Sequence, residues 1–148
     1  MKGPGIASAL AAVLASGCAP SDPEAEIRAL LAAAEQAAEE RDVGFFGSVL
    51  GAGYRDSRGN DRDELIRVLR GYFIANQRIE IVSRVDEIVL EGEDAAHAVV
   101  HAGMAGQRSG ATLIDGLQAD LYRFELELVN DGEEWQIIGA DIRRATGD

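Results

Sequence analysis

Apolar positions along the chain change period once, from helical spacing to alternation, and that change divides the sequence into two halves. Ser21 and Glu24 fit a capping box with Pro23 in the first turn, so a helix starts here. Ile27, Leu30, Leu31, Ala34 and Ala38 then recur at helical spacing, with Glu24, Arg28, Glu35 and Glu39 on or near the opposite face, to about Arg41. Asp42 can cap a short second helix carrying Phe45, Phe46 and Leu50 and ended by Gly51. Residues 51–60 are rich in turn formers, with room for a very short strand around Tyr54. Asp61 and Glu64 repeat the capping pattern ahead of Leu65, Ile66, Leu69, Tyr72 and Phe73, a third helix that frays near Asn76.

From there the period becomes two. Residues 78–90, with Ile79, Ile81, Val85 and Val89, predict a strand, 91–94 a turn, and 95–104 the next strand. Residues 106–117 predict a glycine-containing loop with a little strand around Leu113. Residues 120–144 predict a long hairpin turning at Asn130-Asp131-Gly132-Glu133, where Asp-Gly supplies positive φ angles. Closing Asn130 on Glu133 sets Leu128 opposite Trp135, Leu126 opposite Ile137, Phe124 opposite Gly139, Tyr122 opposite Asp141 and Asp120 opposite Arg143, all on one face. That face passes from apolar to aromatic to ionic, as a core opening into a polar-lipped cavity does. Ile138 and Ile142 fall on the other side. Three helices followed by four main strands predict an α+β domain with a mostly antiparallel sheet.

Composition adds mainly exclusions. At 148 residues, 47% apolar and 27% charged, the chain has room for one domain with a real core. A net charge of −12 lacks the basic face that nucleic acid needs. One cysteine excludes an internal disulfide. His97 and His101, four apart, sit roughly 13 Å apart on a strand and cannot share an ion, so neither a metal nor a cofactor is expected. The alternation of Ala96, Ala98, Val100 and Ala102 turns both histidines away from the core.

The first residues read as an address. Lys2 gives a basic start, residues 6–14 an apolar stretch too short to span a bilayer, and Ala15-Ser16-Gly17-Cys18 resembles the lipobox of bacterial lipoproteins. The resemblance implies a signal peptide over 1–17, a lipidated Cys18 with a tether over 18–23, and a domain over 24–148. Ala19 after the cysteine implies sorting to an outer membrane, facing the periplasm. An ordinary secretory signal with Cys18 as a free thiol is the alternative.

The order of elements from Glu24 to Arg144, Tyr54-Arg55-Asp56 before a glycine turn and helix, and the closing Gly132-Glu133-Glu134-Trp135-Gln136-Ile137 segment resemble the NTF2-like superfamily, which includes SnoaL-like cyclases and ketosteroid isomerase. The resemblance implies a cone of three helices on a curved sheet of about four main strands, a pocket inside it, and often a homodimer through the outer face of the sheet, compatible with Ile138 and Ile142. It carries no catalytic pattern that transfers to this chain.

The candidate pocket residues are Tyr54, Asp56, Asp120, Tyr122, Phe124, Asp141 and Arg143. Asp141 and Asp56 are candidate bases and Tyr122 a candidate hydrogen-bond donor, set against a cross-strand Asp120–Arg143 salt bridge with a Tyr122–Asp141 hydrogen bond closing the sheet. Arg108-Ser109-Gly110 is either a lid or a surface connection. Three functions follow: an envelope module binding a small apolar ligand or partner protein, a structural dimer, or an enzyme of the isomerase, cyclase or dehydratase kind, with binding favoured over catalysis.

Overall fold

The computed structural model describes residues 21–108 and 117–145. The leader and residues 18–20, Cys18 included, lie outside these, as do Leu113, Ser109 and Gly110. Among the described residues no helix is long and apolar enough to cross a membrane.

Helix α1 (Pro23–Glu39) is capped by Asp22, one residue later than expected. Pro23 holds the preceding residue in extended geometry, which makes Asp22 the half-helical residue. Its Oδ1 accepts from the backbone N–H of Glu24 and Ala25 at 3.1 and 3.3 Å. Arg41, with φ of 58°, turns the chain out of α1. Asp42 then caps α2 (Val43–Val49), accepting from the Phe45 N–H. Before α3 (Arg62–Ala75) the box is complete: Asp61 Oδ1 accepts from the Glu64 N–H, and Glu64 Oε2 from the Asp61 N–H, both at 2.9 Å.

Between these helices the turn-rich stretch is a full strand, β1 (Leu50–Asp56). The remaining strands are β2 (Asn76–Glu91), β3 (Ala95–Arg108), β4 (Leu117–Asn130) and β5 (Trp135–Arg144), in the sheet order β1-β5-β4-β3-β2. All neighbours are antiparallel except β1 and β5, which run parallel, with Leu50 opposite Ile137. The sheet therefore has five strands and is mixed. Local pattern obscures β1 because its support is remote in sequence. Gly51 fits where a Cβ would come within 2.9 Å of the Ile138 side chain, so a residue that locally signals a turn here permits close packing.

The hairpin register differs from the expected one. Asn130 pairs with Trp135, two residues further on, and leaves 131–134 as the loop. Asp131 Oδ1 accepts from the N–H groups of Glu133 and Glu134, and Asn130 Oδ1 from Gly132, so side-chain turns hold a wider loop than two residues could. A bulge then inserts Ile138 between the pairs Leu128–Ile137 and Glu127–Gly139. Beyond it Leu126 faces Ala140, Phe124 faces Ile142, and Tyr122 faces Arg144. Asp141 and Arg143 pair instead with Glu125 and Arg123, on the outer face.

The three helices cover the inner face. Ala96, Ala98, Val100 and Ala102 of β3 are buried there. Ile27 and Leu128, 0% and 1% exposed, sit at the centre, each burial contributing about 1.5–3 kcal/mol. Trp135 closes that end, its indole N–H donating to Glu26 Oε2 at 3.1 Å.

Candidate functional site

A cavity of about 270 Å³ lies between α1, α3 and the inner face of the sheet. Leu31 and Ala34 of α1, Leu69 of α3, and Val100, Phe124 and Ile142 of the sheet form its wall. Ile142 reaches the wall because of the bulge. An unbroken register leaves it outside, compatible with a dimer contact, and Ile138 is itself the inserted, half-buried residue.

Among the described residues, two that line it carry polar side chains, Glu35 of α1 and Ser83 of β2. Ser83 Oγ donates to Glu35 Oε2. One turn along, Glu39 Oε1 accepts from the Ile81 N–H at 2.9 Å, so two carboxylates of α1 fasten the edge strand β2 to the helix. Periodicity set Glu35 and Glu39 on or near the polar side of α1. Glu35 follows the inward-facing Ala34 directly and borders the apolar stripe, which is the one local signal that could have found it.

Of the candidate pocket residues, only Phe124 lines this cavity. Tyr54 and Asp56 are brought together deep beside β5, 2% and 9% exposed. Tyr54 donates from Oη to Asp56 Oδ2 at 3.3 Å. Asp56 also accepts from the backbone N–H of Arg58 and Asn60 and from Asn60 Nδ2. The carboxylate thus organises the turn leading into α3. Burial, with the charge and hydrogen bond of Asp56 behind it, pushes the Tyr54 phenol well above its ordinary value.

Tyr122 and Asp120 are further along the inner side of β4. The Tyr122 ring lies 6.1 Å from that of Phe124, and the guanidiniums of Arg58 and Arg144 stand 5.5 and 6.0 Å from its centroid. Asp120 pairs with Arg144 at 3.1 Å rather than with Arg143. Asp141 and Arg143 pair with each other on the opposite face at 2.5 Å. The Arg143 hydrogen bond holds the Asp141 carboxyl below the usual carboxylate range, a direction that weakens it as a base.

Both histidines point outward from β3, as the alternation predicts. His101 Nδ1 is 2.6 Å from Asp86 Oδ2 and His97 Nε2 is 3.4 Å from Glu91 Oε2. Among the described residues no cluster of three or more His, Cys, Asp or Glu has the arrangement of a metal site.

No family model matches the sequence, and no curated protein matches it either. Solved structures do match in shape. A ketosteroid isomerase-like protein from Erwinia carotovora superposes with a TM-score of 0.65 at 14% identity, over 83% of this chain and 96% of that one. An NTF-2 like protein of unknown function from Silicibacter pomeroyi gives 0.61 at 16% identity, over 82% and 94%. A candidate dehydratase of the NTF2-like family from Streptomyces avermitilis gives 0.69 at 13%, over 84% and 97%. The chain therefore has an NTF2-like α+β fold. At these identities the likeness extends to the fold alone.

Proposed function

We propose that this protein is a cell-envelope module, anchored by lipid on Cys18 at an outer membrane and facing the periplasm, that binds a small apolar molecule in the helix–sheet cavity. The observation that carries this is the cavity wall, hydrocarbon and thioether throughout except at Glu35 and Ser83. Small-molecule sites combine such a wall with a few placed polar groups. Catalysis is the weaker reading. Asp141 lies on the other face and is held by Arg143, while Asp56 is engaged by the turn it organises. An isomerase or dehydratase activity, as the descriptions of some structural neighbours suggest, would have to use Glu35.

Native mass spectrometry of the full-length chain, expressed in a bacterial envelope, tests both parts. The expected result is an acylated Cys18 together with a small retained mass that is lost on denaturation. Ala102, buried on the cavity wall, provides the control, because Ala102→Phe fills the space and removes the retained mass. A ligand-free wild type that also takes up no apolar probe in calorimetry refutes the binding role. A chain released with the soluble fraction refutes the anchor.

A structural homodimer is the second reading. Val82 and Leu121, 78% and 56% exposed, flank Gly103 on the outer face and form the apolar strip such a contact would use. The same spectrum reports subunit number, and a monomer removes this reading.

A further inference from the structure

Several carboxylates on this domain have an arginine partner. Glu24 pairs with Arg28, Asp61 with Arg55, Asp86 with Arg84, Glu125 with Arg123, Asp141 with Arg143 and Asp120 with Arg144. Glu35 has none among the described residues, although it is half-buried and borders an apolar cavity. Among the described residues its one hydrogen bond comes from Ser83 Oγ to Oε2, and none donates to Oε1. The Ser83 hydroxyl, with its proton committed to Glu35, presents lone pairs alone. The polar spot in the cavity therefore consists of acceptors and carries negative charge.

We infer that the cavity binds amphiphilic amines, with the ammonium seated on Glu35 and Ser83 and the hydrocarbon against Leu69, Val100 and Phe124. This rests on the binding role proposed above and adds the class of ligand. An ammonium brings three N–H donors to a site that offers only acceptors, and a charge-assisted hydrogen bond is about twice as strong as a neutral one. A carboxylate head group meets like charge at Glu35 and from the whole domain, whose net charge is −12. At about 30 Å³ for each water-sized volume, 270 Å³ holds roughly nine heavy atoms, the size of an eight-carbon amine.

Isothermal titration of the full-length chain with octylamine, 1-octanol and octanoate tests this. The three share a hydrocarbon tail and differ in head group. Octylamine is expected to bind at least tenfold more tightly than octanol, with octanoate weakest. Glu35→Gln keeps the side-chain size and an acceptor for Ser83, and brings octylamine to the octanol level while leaving octanol unchanged. Ser83→Ala retains most of the amine preference. Glu87→Gln, an exposed charge on the outer face, leaves it intact and separates local from general attraction. Equal binding of amine and alcohol by the wild type, or an amine preference that survives Glu35→Gln, overturns the inference while leaving an apolar cavity standing. Failure of all three probes to bind overturns the cavity reading and this one with it.

Discussion

Asp56→Ala removes the acceptor around which the turn between β1 and α3 is folded, and its cost separates a structural carboxylate from a catalytic one. In the native protein the carboxylate accepts from Tyr54 Oη, from the N–H of Arg58 and Asn60, and from Asn60 Nδ2. Truncation orphans the Tyr54 hydroxyl in a site only 2% exposed, a loss of about 1–3 kcal/mol. The turn donors can recover water in part, and losing their hydrogen bonds costs about 0.5–1.5 kcal/mol each. The sum is about 2.5–7.5 kcal/mol, which for a domain of this size lowers the melting temperature on the order of 10–25 °C. Urea and thermal unfolding followed by circular dichroism measure it. Tyr54→Phe in the Asp56→Ala background removes the orphaned donor, so the double variant is more stable than the sum of the single losses predicts. A loss below about 1 kcal/mol for Asp56→Ala, or strict additivity in that cycle, refutes this account of the turn.

Three further outcomes follow from the same geometry. Tyr54 holds its proton more tightly when folded than the unfolded phenol does, so its contribution is fully present below about pH 10 and is lost as pH rises through the raised native value. The ultraviolet phenolate titrations of wild type and Tyr54→Phe therefore superimpose until alkaline unfolding begins, and a difference between them while both remain folded contradicts the burial assigned here. Asp141 has the opposite sign: its carboxyl is depressed by Arg143, so its contribution is present above the unfolded value near pH 4 and lost as pH falls through the lower native one. Asp141→Asn accordingly flattens the fall in the urea midpoint as pH drops below about 4 and leaves ligand binding unchanged. Arg62 at the start of α3 donates from Nε to the Leu50 carbonyl at 3.1 Å and from Nη2 to the Gly47 carbonyl, which joins the end of α2 to β1. Arg62→Ala costs about 2 kcal/mol in chemical denaturation, and hydrogen exchange at the Leu50 and Gly51 amides rises with it.

The helices were legible because helix signals are local. Asp42 and Asp61 cap where their spacing to the following residues says they should, and the one displaced cap, Asp22 for Ser21, follows from the constraint Pro23 places on its neighbour. The alternation of β3 was legible for the same reason, since a two-residue period assigns Ala96, Ala98, Val100 and Ala102 to one face without reference to any partner strand. Strand β1 was obscured because its support is β5, some eighty residues away and parallel to it, so glycines that fit a packed strand look locally like a turn.

The candidate site was lost through register, and the loss traces to one residue. Side chains alternate along a strand, so an inserted residue exchanges the faces of every position that follows it. With Ile138 as the insertion, Asp141 and Arg143 leave the inner face and Ile142 enters the cavity wall, while Asp120 and Tyr122 stay on the inner side with Arg144 in place of Arg143. A bulge has no dependable local signature in a run such as Trp135-Gln136-Ile137-Ile138-Gly139, where two adjacent isoleucines each suit either face. The exchange also moves the chemistry from one layer to another. Once β5 contributes no carboxylate to the interior, the only ionisable group left on the cavity wall among the described residues is Glu35, supplied by a helix rather than the sheet. The inserted isoleucine thus accounts both for the apolar character of the cavity and for the helix being the source of its single charge.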